Sequence, residues 1–226
     1  MSASPLQQLD MLARQEAEID AGLTHLEIYT LRGLLTILWH GPRDASSALI
    51  ACGGAMGGLL GPGAGLYHQL GRVLADAGIA TLRVGYRRPN DLESCTLDLG
   101  AAAELAFRAG ARRVVTMGHS FGGAVAVRAA VAMPDLVAGV VTLATQSAGC
   151  EAADRLACPL LMFHGDADEL LPPAASEMVR FIAGQGELVI IPGDGHLLNA
   201  GAPDILERLT TWIPEVLKDP DSKERT

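Results

Sequence analysis

Short runs of consecutive apolar residues alternate along this chain with longer segments whose apolar positions recur every three or four residues. Residues 48–52 (Ala-Leu-Ile-Ala-Cys) are continuously apolar, as expected of a strand covered on both faces. Residues 79–85, 114–118, 137–144, 159–164 and 188–191 also read as strands. Between them, 66–77, 97–109, 121–132, 174–183 and 202–217 read as helices; the last has Ile205, Leu206, Leu209, Ile213, Val216 and Leu217 on its apolar stripe. Upstream, 25–30 and 34–39 read as two strands joined near Arg32-Gly33, a hairpin or meander at one edge. A further helix is expected at the start. Ser4 can cap it, Pro5 suits its first position and Gln7 completes a capping box. Its apolar residues Leu6, Leu9, Leu12 and Ala13 fall at helical spacing, ahead of the strongly polar stretch 15–20. Strands alternating with helices predict an α/β architecture: a mostly parallel twisted sheet with an antiparallel edge hairpin and helices on both faces. The chain reads as one domain over 1–226, with 1–22 as an N-terminal extension and 219–226 as a polar tail expected to fray.

Composition narrows the partners. With 226 residues, 49% hydrophobic and 19% charged, the chain can bury a full core and is too apolar for disorder. A net charge of −9 argues against nucleic acid or an anionic membrane, since both recruit clustered Lys and Arg. Cys52, Cys95, Cys150 and Cys158 make no C-x-x-C and lie in or beside apolar segments, so they read as free buried thiols suited to a reducing compartment. No signal-peptide pattern and no apolar run of roughly 18–20 residues is present, so a soluble, cytoplasmic protein is expected. The glycine-rich turn 53–58 offers no register for G-x-G-x-x-G, there is no G-K-[ST], and no H-E-x-x-H or zinc-spaced cysteine pair occurs. Neither a cofactor nor a metal is expected.

The chemistry points to Gly118-His119-Ser120-Phe121-Gly122, a G-x-S-x-G between the strand-like 113–117 and a helix-compatible run of small residues. A serine squeezed between strand and helix by glycines has the form of a nucleophile elbow, though an ordinary tight turn has the same letters. A serine hydroxyl needs a base, and the base needs orienting. Ligands of open α/β sheets sit beyond the carboxyl ends of strands, and two such ends carry His and acid: 164–172 (His-Gly-Asp-Ala-Asp-Glu-Leu-Leu-Pro) and 192–198 (Pro-Gly-Asp-Gly-His-Leu-Leu). Ser120, Asp168 and His196 follow the chain order of this kind of triad. Asp166, Glu169 and Asp194 compete for the acid's place; the first two can be solvated turn residues and Asp194 can hold the loop before His196. His164 and His119 read as hydrogen-bonded supports.

Taken together, these motifs resemble the α/β-hydrolases, specifically the small lidless members near the dienelactone-hydrolase and bacterial serine-esterase groups. The likeness spans about 25–217 and rests on the glycine-rich turn, the elbow, an H-G-x-x-D-x-x-x-P stretch and a G-x-G-H stretch. It implies Ser120 as nucleophile, His196 as general base and Asp168 as triad acid, the last by its spacing to the following proline. Dienelactone hydrolases carry cysteine in the elbow, whereas serine here shifts the expectation toward serine esterases. One oxyanion donor is expected at the backbone N–H of Phe121. The other follows a His-Gly pair in the family; Cys52-Gly53 stands there, which points to Gly54, with Ala55 as the near alternative. Only 145–158 occupies the usual cap position, so an open site is expected. Met56, Leu59, Leu60 and Phe121 are candidate acyl-pocket residues. Arg87, within Tyr86-Arg87-Arg88-Pro89-Asn90, can contact an anionic substrate or belong to a structural turn. The expected function is hydrolysis of a carboxylic ester or thioester, the substrate a small molecule or acyl group. An amidase or peptidase, or a non-catalytic interaction protein, are the alternatives. Monomer and homodimer are not distinguished.

Overall fold

The computed structural model describes residues 3–218. Its strands are β1 (Met11–Asp20), β2 (Leu23–Thr30), β3 (Gly33–His40), β4 (Ser47–Cys52), β5 (Ala80–Gly85), β6 (Arg113–His119), β7 (Val137–Leu143), β8 (Leu160–Gly165) and β9 (Glu187–Ile191). Its helices are α1 (Pro5–Gln8), α2 (Pro62–Asp76), α3 (Leu92–Ala109), α4 (Phe121–Ala132), α5 (Ala174–Ala183) and α6 (Ala202–Leu217). The strands form a single sheet in the order β1-β2-β3-β5-β4-β6-β7-β8-β9. Pairing is antiparallel from β1 through β3 to β5 and parallel from β5 through β4 to β9. No helix among the described residues is long and apolar enough to cross a membrane.

The central strands β4, β6, β7 and β8 are buried almost from end to end because helices cover both faces. Ala48, Ile50 and Cys52 of β4 pack into a core with α3 and α4. Leu49 and Ala51 join Leu66, Tyr67, Leu70 and Leu74 of α2 and Ile205, Leu209 and Ile213 of α6 on the other side. All four cysteines are unpaired and buried. Burial pushes the thiols of Cys52, Cys95 and Cys150 up to about 12 and that of Cys158 to about 11, so they stay protonated.

At the N-terminus the expectation of a long helix is corrected. The capping box forms, with the Ser4 N–H donating to Gln7 Oε1 (2.9 Å) and the Gln7 N–H to Ser4 Oγ (3.5 Å), yet the helix stops at Gln8. Leu9 is fully buried and Asp10, at φ 52°, turns the chain into β1. Within this segment, residues 11–20 supply the edge strand of the sheet. Every residue of β1 is exposed, so neither face needed an apolar pattern that would have announced a strand. α3 begins at Leu92, earlier than its periodicity suggests, because Asp91 Oδ1 caps it by accepting from the Ser94 N–H (3.1 Å). α2 begins at Pro62, but Gly63, Ala64 and Gly65 have positive φ, and the regular helix starts at Leu66. The β7–β8 connection holds one 3-10 turn, Ala153–Arg155, and no cap domain. Residues 219–226 lie outside the described residues.

Candidate active site

Ser120 joins β6 to α4 with φ 56° and ψ −121°, a conformation that costs a non-glycine residue about 1–3 kcal/mol. Its neighbours show what over-determines that strain. A Cβ on Gly118 would overlap the Gly122 carbonyl, one on Gly122 would overlap the Gly53 carbonyl, and one on Gly123 would overlap Thr145 Oγ1. The elbow is thus wedged against the turn after β4. Its backbone is pinned as well, the Ser120 N–H donating to Leu143 O (2.8 Å). The Ser120 side chain makes no capping bond to its own helix.

Beyond β8, Asp168 is buried and fully bonded. Its Oδ1 accepts the N–H groups of Leu170 and Leu171 (2.9 Å each), and its Oδ2 accepts His196 Nδ1–H at 2.7 Å. Burial alone would raise its carboxyl pKa; the Leu171 N–H, His196 and the Leu170 N–H outweigh this and hold it below 3.8. With Nδ1 donating to Asp168, the neutral His196 ring leaves Nε2 as the acceptor. His164, fully buried, sits behind the same carboxylate. Its Nε2–H faces Leu171 O (2.9 Å) and Asp168 Oδ2 (3.2 Å), and its Nδ1 accepts from Ser176 Oγ (2.7 Å). His119, beside the elbow, donates from Nε2 to the His196 carbonyl (2.9 Å), and the two rings lie 4.8 Å apart. Burial lowers the His119 pKa to about 4, which keeps it neutral. The backbone of His196 is therefore tied to His119, the residue that precedes Ser120 in the elbow.

The competing acids have other partners. Asp194 Oδ1 and Oδ2 take the N–H groups of Gly195 (2.9 Å) and Gly201 (2.8 Å), bracing the loop that carries His196. Asp166 is exposed and accepts the Gly193 N–H (2.6 Å); Glu169 is exposed.

Across from the elbow, a Cβ built on Gly54 would stand 3.6 Å from Ser120 Cβ. The turn closes with the Gly57 N–H donating to Gly54 O (2.9 Å), leaving Ala55 and Met56 at its tip. Phe121 is the first residue of α4, so its N–H has no acceptor within the helix. Two tyrosines position this turn and were not singled out for it in the sequence. Tyr67 OH donates to Cys52 O (2.7 Å) and Tyr86 OH to Gly53 O (2.9 Å), fixing the carbonyls at the turn's entrance. Arg87 itself is corrected: its Nε meets Asp98 Oδ1 (2.5 Å) and its N–H meets Asp98 Oδ2 (2.9 Å), with side chains 3% and 0% exposed. A buried, neutralised guanidinium is a structural tie between β5 and α3, not a cation offered to an anionic substrate. Met56 lines no enclosed pocket; it is 93% exposed, with Leu60 (62%) and Leu197 (54%) also open to solvent. Leu59 is half-buried, and Phe121 is buried edge-on to Tyr86, ring centroids 6.3 Å apart.

Among solved structures this arrangement is similar to Est1E from Butyrivibrio proteoclasticus, at TM-score 0.74 and 18% identity over 85% of this chain and 98% of that one. A dienelactone hydrolase from Anabaena variabilis matches at TM-score 0.73 and 20% identity over 91% and 99%. An alpha-beta serine hydrolase homologue from Coxiella burnetii matches at 0.69 and 20% over 82% and 95%. The chain has the α/β-hydrolase fold. Within that fold, residues 88–196 match the Dienelactone hydrolase family, a stretch that contains Ser120, Asp168 and His196. This match supports a hydrolase. Among curated protein sequences, none is significantly similar to the chain. Sequence could have flagged His164 and Ser176 together only through the β8–α5 turn, which brings residues twelve apart within 2.7 Å.

Proposed function

We propose that this α/β-hydrolase-fold protein cleaves a carboxylic ester or thioester through an acyl-enzyme on Ser120. The observation that carries the reading is the 2.7 Å bond from His196 Nδ1 to a buried, ionised Asp168, on a loop tied to a strained serine. In this mechanism His196 Nε2 takes the Ser120 proton as Oγ attacks the carbonyl carbon. Asp168 holds the imidazole tautomer and stabilises the imidazolium. The oxyanion is met by the N–H of Phe121 and by that of Gly54 or Ala55. His196 returns the proton to the departing alcohol or thiol, then activates a water that releases the acid and restores Ser120. Each step needs only groups on this chain and water.

The match to a hydrolase family supports the reaction class, and the open β7–β8 connection supports access by bulky esters. Four buried, unpaired thiols support a reducing compartment such as the cytoplasm. The test is turnover of p-nitrophenyl butyrate with labelling by a fluorophosphonate probe. Ser120→Ala should lose both and His196→Ala nearly all turnover. Equal labelling of wild type and Ser120→Ala would refute the nucleophile. Cleavage of a matched amide in place of the ester would favour an amidase, and no turnover of either a non-catalytic role.

A further inference from the structure

The sheet ends on β1. Among the described residues nothing pairs with its outer edge, which presents a long row of unused N–H and C=O groups. Its ten residues are exposed on both faces, including Met11 (53%), Leu12 (64%) and Ile19 (55%). Such an edge is a template for another strand unless its charges oppose pairing. Here the charges are divided along the strand: Arg14 lies in the first half, and Glu16, Glu18 and Asp20 follow.

We propose that β1 pairs antiparallel with β1 of a second copy, about a two-fold axis through Gln15, joining two nine-stranded sheets into one. Residues facing each other across such an axis lie on the same side of the sheet, so only registers centred on a residue are available. Centring on Gln15 sets Arg14 opposite the partner's Glu16 and Ala13 opposite the partner's Ala17, with every pair made twice. Centring on Arg14 or on Glu16 sets that charge against its own copy. Centring on Ala17 sets Glu16 against the partner's Glu18. Among these, the Gln15 register alone joins opposite charges with no like pair over the straight stretch 13–18; Asp20 at the strand's end falls opposite the partner's Asp10, which lies outside β1 where the chain turns at φ 52°. The irregularities in β1–β2 pairing fall between Met11 and Ala13 and between Glu18 and Asp20, leaving 13–18 as the straight stretch that the register uses. Within one chain Arg14 bonds Glu16 at 2.8 Å, and Arg43 also reaches Glu16 at 3.2 Å. Arg14 and Glu16 are 39% and 46% exposed, so Arg14 can exchange this bond for the partner's Glu16 while Arg43 keeps its own. The charged edge selects a register instead of blocking association. β1 lies at the opposite end of the sheet from β8 and β9, so the dimer leaves the hydrolytic site open, and its test is independent of the catalytic reading.

The experiment is sedimentation equilibrium across a wide concentration range. Wild type should sediment as a dimer. Arg14→Glu and, separately, Glu16→Arg should each weaken association about tenfold or more, since each places like charges opposite each other twice. The double variant Arg14→Glu/Glu16→Arg should restore it. Both positions are exposed, so esterase activity, and thermal melting at dilutions where every variant is monomeric, should be unchanged. A monomeric wild type, undiminished association in both single variants, or a double variant no tighter than either single would each overturn the proposal.

Discussion

Gly122 is where the elbow and the turn after β4 touch, and Gly122→Ala tests whether that contact sets the site's geometry. A Cβ there would overlap the Gly53 carbonyl oxygen and stand 3.0 Å from Cys52 O and 3.1 Å from Gly53 C. The turn cannot simply recede, because Tyr86 and Tyr67 hold these two carbonyls at 2.9 and 2.7 Å. Breaking either bond would cost about 1 kcal/mol, and overpacking of this kind costs about 1–3 kcal/mol. At about 2–4 °C per kcal/mol for a chain of this size, Tm should fall by roughly 3–10 °C. The same shift carries Gly54 away from Phe121, so one oxyanion donor loses its aim and kcat should drop about 100-fold with KM little changed. The assay is p-nitrophenyl butyrate hydrolysis at a temperature well below both melting points. The control is Gly184→Ala, at φ 63° with nothing within 4 Å of the new methyl, which should lower Tm without touching kcat. Activity of Gly122→Ala within about threefold of wild type would refute the claim that this contact aligns the donors.

Four further outcomes follow from the same geometry. Tyr86→Phe leaves the buried Gly53 carbonyl unpaired and should cost about 1–3 kcal/mol in urea unfolding, together with part of kcat. Asp168→Asn should lower kcat by about four orders of magnitude with the chain still folded, because the amide cannot hold His196 in the required tautomer. His40 and His119, both buried, have pKa values near 4 against an ordinary 6.5. The unfolded chain therefore binds more protons in this range; their stabilising effect is complete above pH 6.5 and is lost as pH falls toward 4. Urea midpoints should decline across that window, and His40→Gln should flatten part of the slope. Met56→Ser should leave Tm and acetate-ester turnover unchanged while reducing the preference for octanoate over acetate about threefold or more, if the exposed thioether covers the acyl chain.

Much of the parallel half of the sheet was legible because its central strands are buried on both faces, while α5 and α6 are buried on one side only. α4, α5 and α6 span the very residues their apolar spacing indicates. Ser120 was legible because an elbow is local: its glycines, strand and helix are contiguous in the chain. β1 was not, since an edge strand exposed on both faces has no apolar alternation, and the helix cap before it was genuine but carried only four residues. Arg87 stayed open between substrate contact and a structural turn because charge in a sequence says nothing of its partner, and Asp98 reaches it only when α3 packs beside β5. The acid was ambiguous for a related reason. Asp166, Asp168, Glu169 and Asp194 are interchangeable in composition, and Asp168 differs in having Oδ2 turned to His196.

By itself, then, the sequence determined the alternation of elements, the covered core strands and the strained serine, because those depend on residues near in the chain. Tertiary structure alone decided which tyrosines hold the turn facing Ser120 and that Arg87 is paired with Asp98, and it sets Asp168, which the family spacing singles out, against His196. Those contacts join residues 11 to 33 positions apart on different elements, and their strength comes from burial and angle, which only the packed chain supplies.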